Sequence, residues 1–83
     1  MYYVYVIISK KTGKCYIGFT ADLNKRFYQH NSKYSLATKA GAPWKLIYYE
    51  AYLVKAHAQE RERKLKQYGQ SWRRLKERLA LAE

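Results

Sequence analysis

Five side chains have types and spacings that could do chemistry together: Tyr5, Tyr16, Arg26, His30 and Glu62. Tyr5 and Tyr16 fall on adjacent strands of a predicted hairpin. Arg26 follows Tyr16 by ten residues, and His30 lies one helical turn beyond Arg26 on the same face. Glu62 stands in a strongly basic stretch from Gln59 to Lys66. At about 100° per residue, Glu60 falls roughly 140° from Leu65 and faces water, whereas Glu62 falls only about 60° away. A carboxylate at the edge of a buried face needs a partner, and a cation could be that partner. Phenols, a guanidinium, an imidazole and a carboxylate are groups that hold anions, move protons and bind hard cations.

The whole chain leans toward an anionic target. Its formal net charge is +11, from 17 Lys and Arg against 6 Asp and Glu. Self-repulsion of that size fits a protein that binds nucleic acid or anionic lipid, with a merely solvated surface as the plainer reading. The basic residues are dispersed rather than set opposite an apolar helix face, which favours phosphate backbone over membrane. Eighty-three residues make one domain with a thin core, much of it aromatic, since the chain holds ten Tyr and two Trp. No leader and no apolar run near the roughly 20 residues of a membrane span is expected. The single cysteine, Cys15, can form no internal disulfide and no zinc site alone. A reducing, cytoplasmic setting is the expectation.

The elements that must position these groups read as strand, strand, helix, loop, strand, helix, helix. Tyr2 to Ile8 is β-branched and aromatic throughout, as suits a strand covered on both faces. Lys10 to Lys14 is polar with a glycine and should turn the chain into a second, antiparallel strand, Cys15 to Thr20. There Cys15, Ile17 and Phe19 face one way, Tyr16 and Gly18 the other. Thr20 or Asp22 can cap a helix whose inner face carries Leu23 and Phe27, and which fades at His30-Asn31-Ser32. Lys33 to Pro43 is expected to be a mobile surface loop, and Trp44 to Tyr52 a third strand. Val54, Ala58 and Leu65 recur at helical spacing up to Gly69. Ser71 can cap a last helix with a Trp72, Leu75 and Leu79 stripe, and with Arg73, Arg74, Lys76 and Arg78 around it.

Tyr3-Val4-Tyr5, then Tyr16-Ile17-Gly18, then the run Gly18 to Arg26 with His30-Asn31, and finally Glu62 ahead of Leu65-Lys66 form a pattern. In order and spacing it resembles the GIY-YIG nuclease superfamily, in particular its small, single-domain, excinuclease-like members. Tyr3 stands where the first motif has glycine, and no asparagine follows Asn31. The resemblance implies a single domain over residues 1–83, of α+β class, with a three-stranded antiparallel sheet flanked by three helices. It implies an endonuclease that hydrolyses phosphodiester bonds in DNA, branched or damaged DNA among the substrates, in repair or recombination. It also implies one divalent cation, Mg2+ or Mn2+, on Glu62.

A phosphodiester repels nucleophiles and gathers more negative charge in the transition state, so cations, a base and help for the leaving alkoxide are needed. In the implied assignment Arg26 holds the phosphate by paired hydrogen bonds that a lysine would not reproduce. Tyr16 orients water or phosphate. Tyr5 is the candidate general base, which requires nearby cations (the metal, Lys14 or His30) to lower a phenol pKa that is normally near 10. His30 is the alternative base, with Tyr5 then only positioning. Lys14, Lys25, Lys39, Lys66, Arg73 and Arg74 form the candidate nucleic-acid-binding set. Binding through them predicts a log–log salt slope of about −0.9 per phosphate neutralised. The loop with Lys39 could close on substrate.

Singly, each residue has an ordinary reading: strand filler for the tyrosines, a helix-surface pair for Arg26, a helix-end partner for His30, a solvated ion pair for Glu62. Three functions follow. One is an active endonuclease; the second is a binding module of the same fold that cuts poorly or needs a partner protein. The third is a basic RNA-associated protein whose binding needs no metal and survives loss of Glu62.

Overall fold

The computed structural model describes residues 1–32, 35–67 and 69–81. Its first strand, β1 (Tyr2–Ser9), is the centre of the sheet because its side chains are apolar on both faces. β1 pairs antiparallel with β2 (Cys15–Thr20) on one side, from Tyr3 opposite Thr20 to Ile8 opposite Cys15. On the other side it pairs antiparallel with β3 (Trp44–Tyr52). The β1–β2 turn depends on Gly13, whose φ of 77° lies where L side chains are strained. The side chain of Ser9 braces this turn: its hydroxyl donates to the Gly41 carbonyl at 2.6 Å and accepts from the Lys11 and Thr12 amides.

Alternation along β1 divides the core. Val4 and Val6 point to a layer formed by α2 (Lys55–Gln67) and α3 (Gly69–Arg78), where they meet Ala58, Leu65 and Leu75. Each such fully buried valine or leucine contributes roughly 1.5–3 kcal/mol relative to exposure. Tyr5 and Ile7 point the other way, onto Trp44 and the Leu23 and Phe27 face of α1 (Leu23–Asn31). In β3, Val6 opposes Tyr48 while Ile7 opposes Leu46, so Ile47 is an extra, bulged residue. The bulge lets Ile47 and Tyr48 both reach the α2–α3 layer.

The α2 layer is tied to the sheet by a charge. Arg61 donates to both carboxylate oxygens of Glu50 on β3, at 3.0 and 3.2 Å, and Tyr48 and Tyr52 donate their hydroxyls to the same group. Burial would raise the Glu50 pKa, but the Arg61 and tyrosine hydrogen bonds outweigh it and hold the carboxyl below its usual range.

The expected three-stranded antiparallel sheet and three helices are present, with strand bounds within a residue of expectation. Three local expectations need correction. Val54 does not pack beside Ala58; it is exposed in the bend before α2, where its carbonyl accepts from the His57 and Ala58 amides. Ser71 does not cap α3, which already begins at Gly69, so Ser71 sits within the first turn. The segment before β3 is not a free surface loop over its described part. Ser35 and Thr38 are buried, a 3-10 turn spans Lys39–Gly41, and the Trp44 indole donates to the Thr38 carbonyl at 2.9 Å. Lys33 and Tyr34, at the start of that expected loop, lie outside the described residues.

Candidate active site over Gly18

The site is built on an absence of side chain. Gly18 lies opposite Tyr5 on the neighbouring strand, and the Tyr5 ring crosses directly over it. A Cβ at position 18 would stand 2.2 Å from the Tyr5 hydroxyl and 2.3 Å from Cζ, far inside contact distance. The glycine therefore lets the phenol lie flat across β2, and the ring is only 1% exposed.

Helix α1 supplies the next two groups. Asp22 fixes the helix start by accepting from the Lys25 amide, and Asn31 fixes its end. The Asn31 amide group bonds both the amide and the carbonyl of Trp44, as a neighbouring strand would. Between these anchors His30 is wholly buried. Its Nε2 lies 2.7 Å from the Tyr5 hydroxyl and its Nδ1 lies 2.6 Å from the Thr38 hydroxyl. Tyr16 stands edge-on to the same imidazole, with ring centroids 5.3 Å apart. Arg26 reaches the Tyr5 phenol from the same helix face and also donates to Gln29 at 3.0 Å.

Glu62 approaches from α2. Its carboxylate belongs to the electrostatic surroundings of the Tyr5 phenol. Its partner in the free protein is Lys66, one turn on, at 3.0 Å, with the Glu62 side chain 23% exposed. Lys66 also stands 5.7 Å from the centre of the Tyr16 ring. Tyr5, Tyr16, Arg26, His30, Glu62 and Lys66 are thus brought together around Gly18. Glu60 faces water and pairs with Arg63, as its helix position required.

The electrostatics run opposite to the expectation for Tyr5. Burial pushes its pKa up to about 12; Arg26 opposes this, and the Tyr16 and Glu62 groups reinforce it. Burial, with Arg26 adding to it, pulls His30 down to about 4. At neutral pH both are uncharged, and the proton they share belongs to Tyr5 by a wide margin.

The remaining expected basic residues are spread out. Lys14 and Lys66 line a cleft along β2. Lys39 faces a separate hollow with Lys11 and Leu36. Lys25, Arg73 and Arg74 are exposed on their helices. Thr38 has no sequence signal of its own. It sits in a stretch of small residues with no periodicity, and only the tertiary contact with His30 reveals it. Among the described residues no helix is long and apolar enough to cross a membrane.

Comparison with known proteins bears on this geometry. The model of the GIY-YIG catalytic domain matches residues 1–76. A UPF0213 protein of Bacillus pumilus (strain SAFR-032) is 36% identical over 83 residues, covering 99% of this chain and 80% of that protein. The UPF0213 protein SSP2268 of Staphylococcus saprophyticus is 35% identical over 72 residues, covering 82% of this chain and 83% of its own length. A UPF0213 protein of Streptococcus pneumoniae serotype 4 is 40% identical over 65 residues, which is 77% of this chain and 65% of that one. No solved structure matches the chain.

Proposed function

The chain belongs to the GIY-YIG family, a nuclease family, and on that premise we propose that it is a metal-dependent endonuclease hydrolysing phosphodiester bonds in DNA. The observation that carries this reading is the convergence of Tyr5, Tyr16, Arg26 and Glu62 on the glycine window in β2. A role in DNA repair or recombination and a cytoplasmic location belong to the same proposal.

The donor set fits one hard cation. Glu62 is a partly exposed carboxylate in the electrostatic surroundings of the Tyr5 phenol, and Mg2+ or Mn2+ commonly binds through one carboxylate, waters and a substrate phosphate. Among the described residues no group of three His, Cys, Asp or Glu forms a closed cage, which also suits an ion shared with substrate. Such an ion would supply charge stabilisation at the phosphate oxygens. Glu62 must leave Lys66 to take it. Arg26 binds a non-bridging phosphate oxygen in forked geometry. Tyr16, partly exposed beside it, orients the attacking water. Tyr5 accepts the water's proton as its own passes to His30 Nε2, along the 2.7 Å hydrogen bond. Thr38 holds the other ring nitrogen, so the imidazole keeps its direction.

A second reading rests on a specific feature: the only ion-pair partner of Glu62 among the described residues is Lys66, as in an ordinary helix-surface pair. In that case the chain binds DNA and needs a partner protein to cut. A nicking assay separates the two, using supercoiled and branched DNA with Mg2+ or Mn2+ and the wild type, Glu62→Ala and Tyr5→Phe. Expected is cutting by the wild type that both substitutions abolish while folding and DNA affinity persist. Binding without cutting on every substrate would overturn the stand-alone enzyme.

A further inference from the structure

Beyond the scissile site, we propose that the cleft along the outer edge of β2 is a subsite for an unpaired DNA nucleotide, so that the enzyme acts beside a single-stranded segment. This deepens the nuclease reading and rests on it. The cleft has a volume of about 560 Å³ and lies between β2 and the α2–α3 layer. Three lysines, Lys14, Lys66 and Lys76, line it together with Tyr16 and Trp72, and no acidic residue among the described residues does.

Three features select the ligand. First, the cleft shares Tyr16 and Lys66 with the candidate active site, so a strand held in it lies directly beside that site. Second, the lysines match a polyanion, and β2 pairs with β1 alone, leaving its outer edge open along the cleft. Third, Trp72 is half-buried on α3 with the Lys76 ammonium 5.8 Å from its ring centre, so an aromatic face and a cation serve the same opening. Aromatic faces beside lysines bind single strands by base stacking plus phosphate contact. A duplex keeps its bases stacked inside and offers no such face to Trp72. A volume of this size falls in the range that encloses one small ligand.

The test is metal-free binding of labelled oligo(dT), the matching duplex and oligo(U) to the whole chain. Wild type is expected to prefer oligo(dT), and binding should quench indole emission; Trp44 is buried, so quenching reports Trp72. Trp72→Leu, which keeps an apolar side chain on the core, should weaken oligo(dT) binding by about tenfold, the worth of one stacked base, while Trp72→Phe stays within about threefold. Lys76→Gln should reduce the log–log salt slope by about 0.7. Unfolding midpoints in urea check that both tryptophan variants are folded. Unchanged oligo(dT) affinity in folded Trp72→Leu, no quenching, or tighter binding of oligo(U) would each overturn the subsite. If duplex DNA is still bound and nicked with metal, the nuclease reading survives that failure; if no DNA is bound or cut in any form, both fall together.

Discussion

Replacing Gly18 by alanine tests whether the site is organised as described, because the change adds one methyl group and removes nothing. That methyl would lie 2.2 Å from the Tyr5 hydroxyl, 2.3 Å from Cζ and 2.8 Å from Cε1. The ring cannot retreat cheaply, since it is packed with Ile7 and Trp44 and is held to His30. Overpacking of this kind costs about 1–3 kcal/mol. Moving the phenol also strands the buried His30 Nε2, which adds about 1–3 kcal/mol for an unsatisfied polar group. The expected loss, about 2–6 kcal/mol, is a large share of the roughly 5–15 kcal/mol that holds a small domain together. Urea unfolding followed by circular dichroism reads it directly, and nicking should vanish even where the variant is folded. The double change Gly18→Ala with Tyr5→Ala supplies the control. With the ring gone the methyl has nothing to strike, so the pair should be less destabilised than the sum of the singles by more than about 1 kcal/mol. Gly18→Ala within about 0.5 kcal/mol of wild type, or an additive double change, would refute the crossing of Tyr5 over Gly18.

Two other substitutions, at His30 and Ala80, test the burial of the imidazole and the end of α3. The unfolded chain protonates His30 near its ordinary 6.5, whereas the folded chain does so at about 4, so the folded state binds fewer protons between those values. Stability from this group is therefore complete above about pH 6.5 and falls toward pH 4, by at most about 3 kcal/mol, and His30→Gln should flatten that part of a urea-unfolding pH series; an identical profile in the variant would contradict the burial argument. At the end of α3, Ala80 has a φ of 56°, with the Ala80 and Leu81 amides donating back to the Glu77 and Lys76 carbonyls in a Schellman arrangement. Ala80→Gly should stabilise the protein by about 1 kcal/mol, raising the thermal midpoint by roughly 4–8 °C, and a lowered midpoint would count against that geometry.

How much of this was legible in the sequence depended on whether the signal was local. The strands were, because Tyr2 to Ile8 and Trp44 to Tyr52 are apolar runs bounded by turn residues, and the alternation of Tyr16 and Gly18 against Ile17 fixed the faces of β2. The half-buried setting of Glu62 and the exposed one of Glu60 also followed from helical angle alone. Val54 misled because an apolar residue at helical spacing is no different in type from one in the bend just before the helix. Ser71 misled because a good cap residue is equally at home in a first turn. Thr38 could not be found at all. Its burial depends on Asn31 drawing the start of β3 against α1, a contact between segments distant in sequence.

The direction of the Tyr5 pKa is the deepest of these misses, and it changes how the site must work. A net charge of +11 suggests that cations should dominate any phenol in this chain. Yet most of those cations are exposed, where water screens them, while desolvation acts at full strength on a ring that is 1% exposed. Among the described residues only Arg26 opposes it, and it loses. Tyr5 at about 12 and His30 at about 4 are thus a locked, neutral pair, and neither alone is a base suited to neutral pH. The sequence left Tyr5 and His30 as alternatives; the 2.7 Å bond between them makes them one unit. In the proposed reaction that unit acts as a relay, the phenol taking a proton from water as it hands its own to His30. The Glu62 carboxylate raises the same phenol's pKa. A cation held by Glu62 would reverse the sign of that neighbour and so favour the phenolate form of Tyr5 as it takes the water's proton.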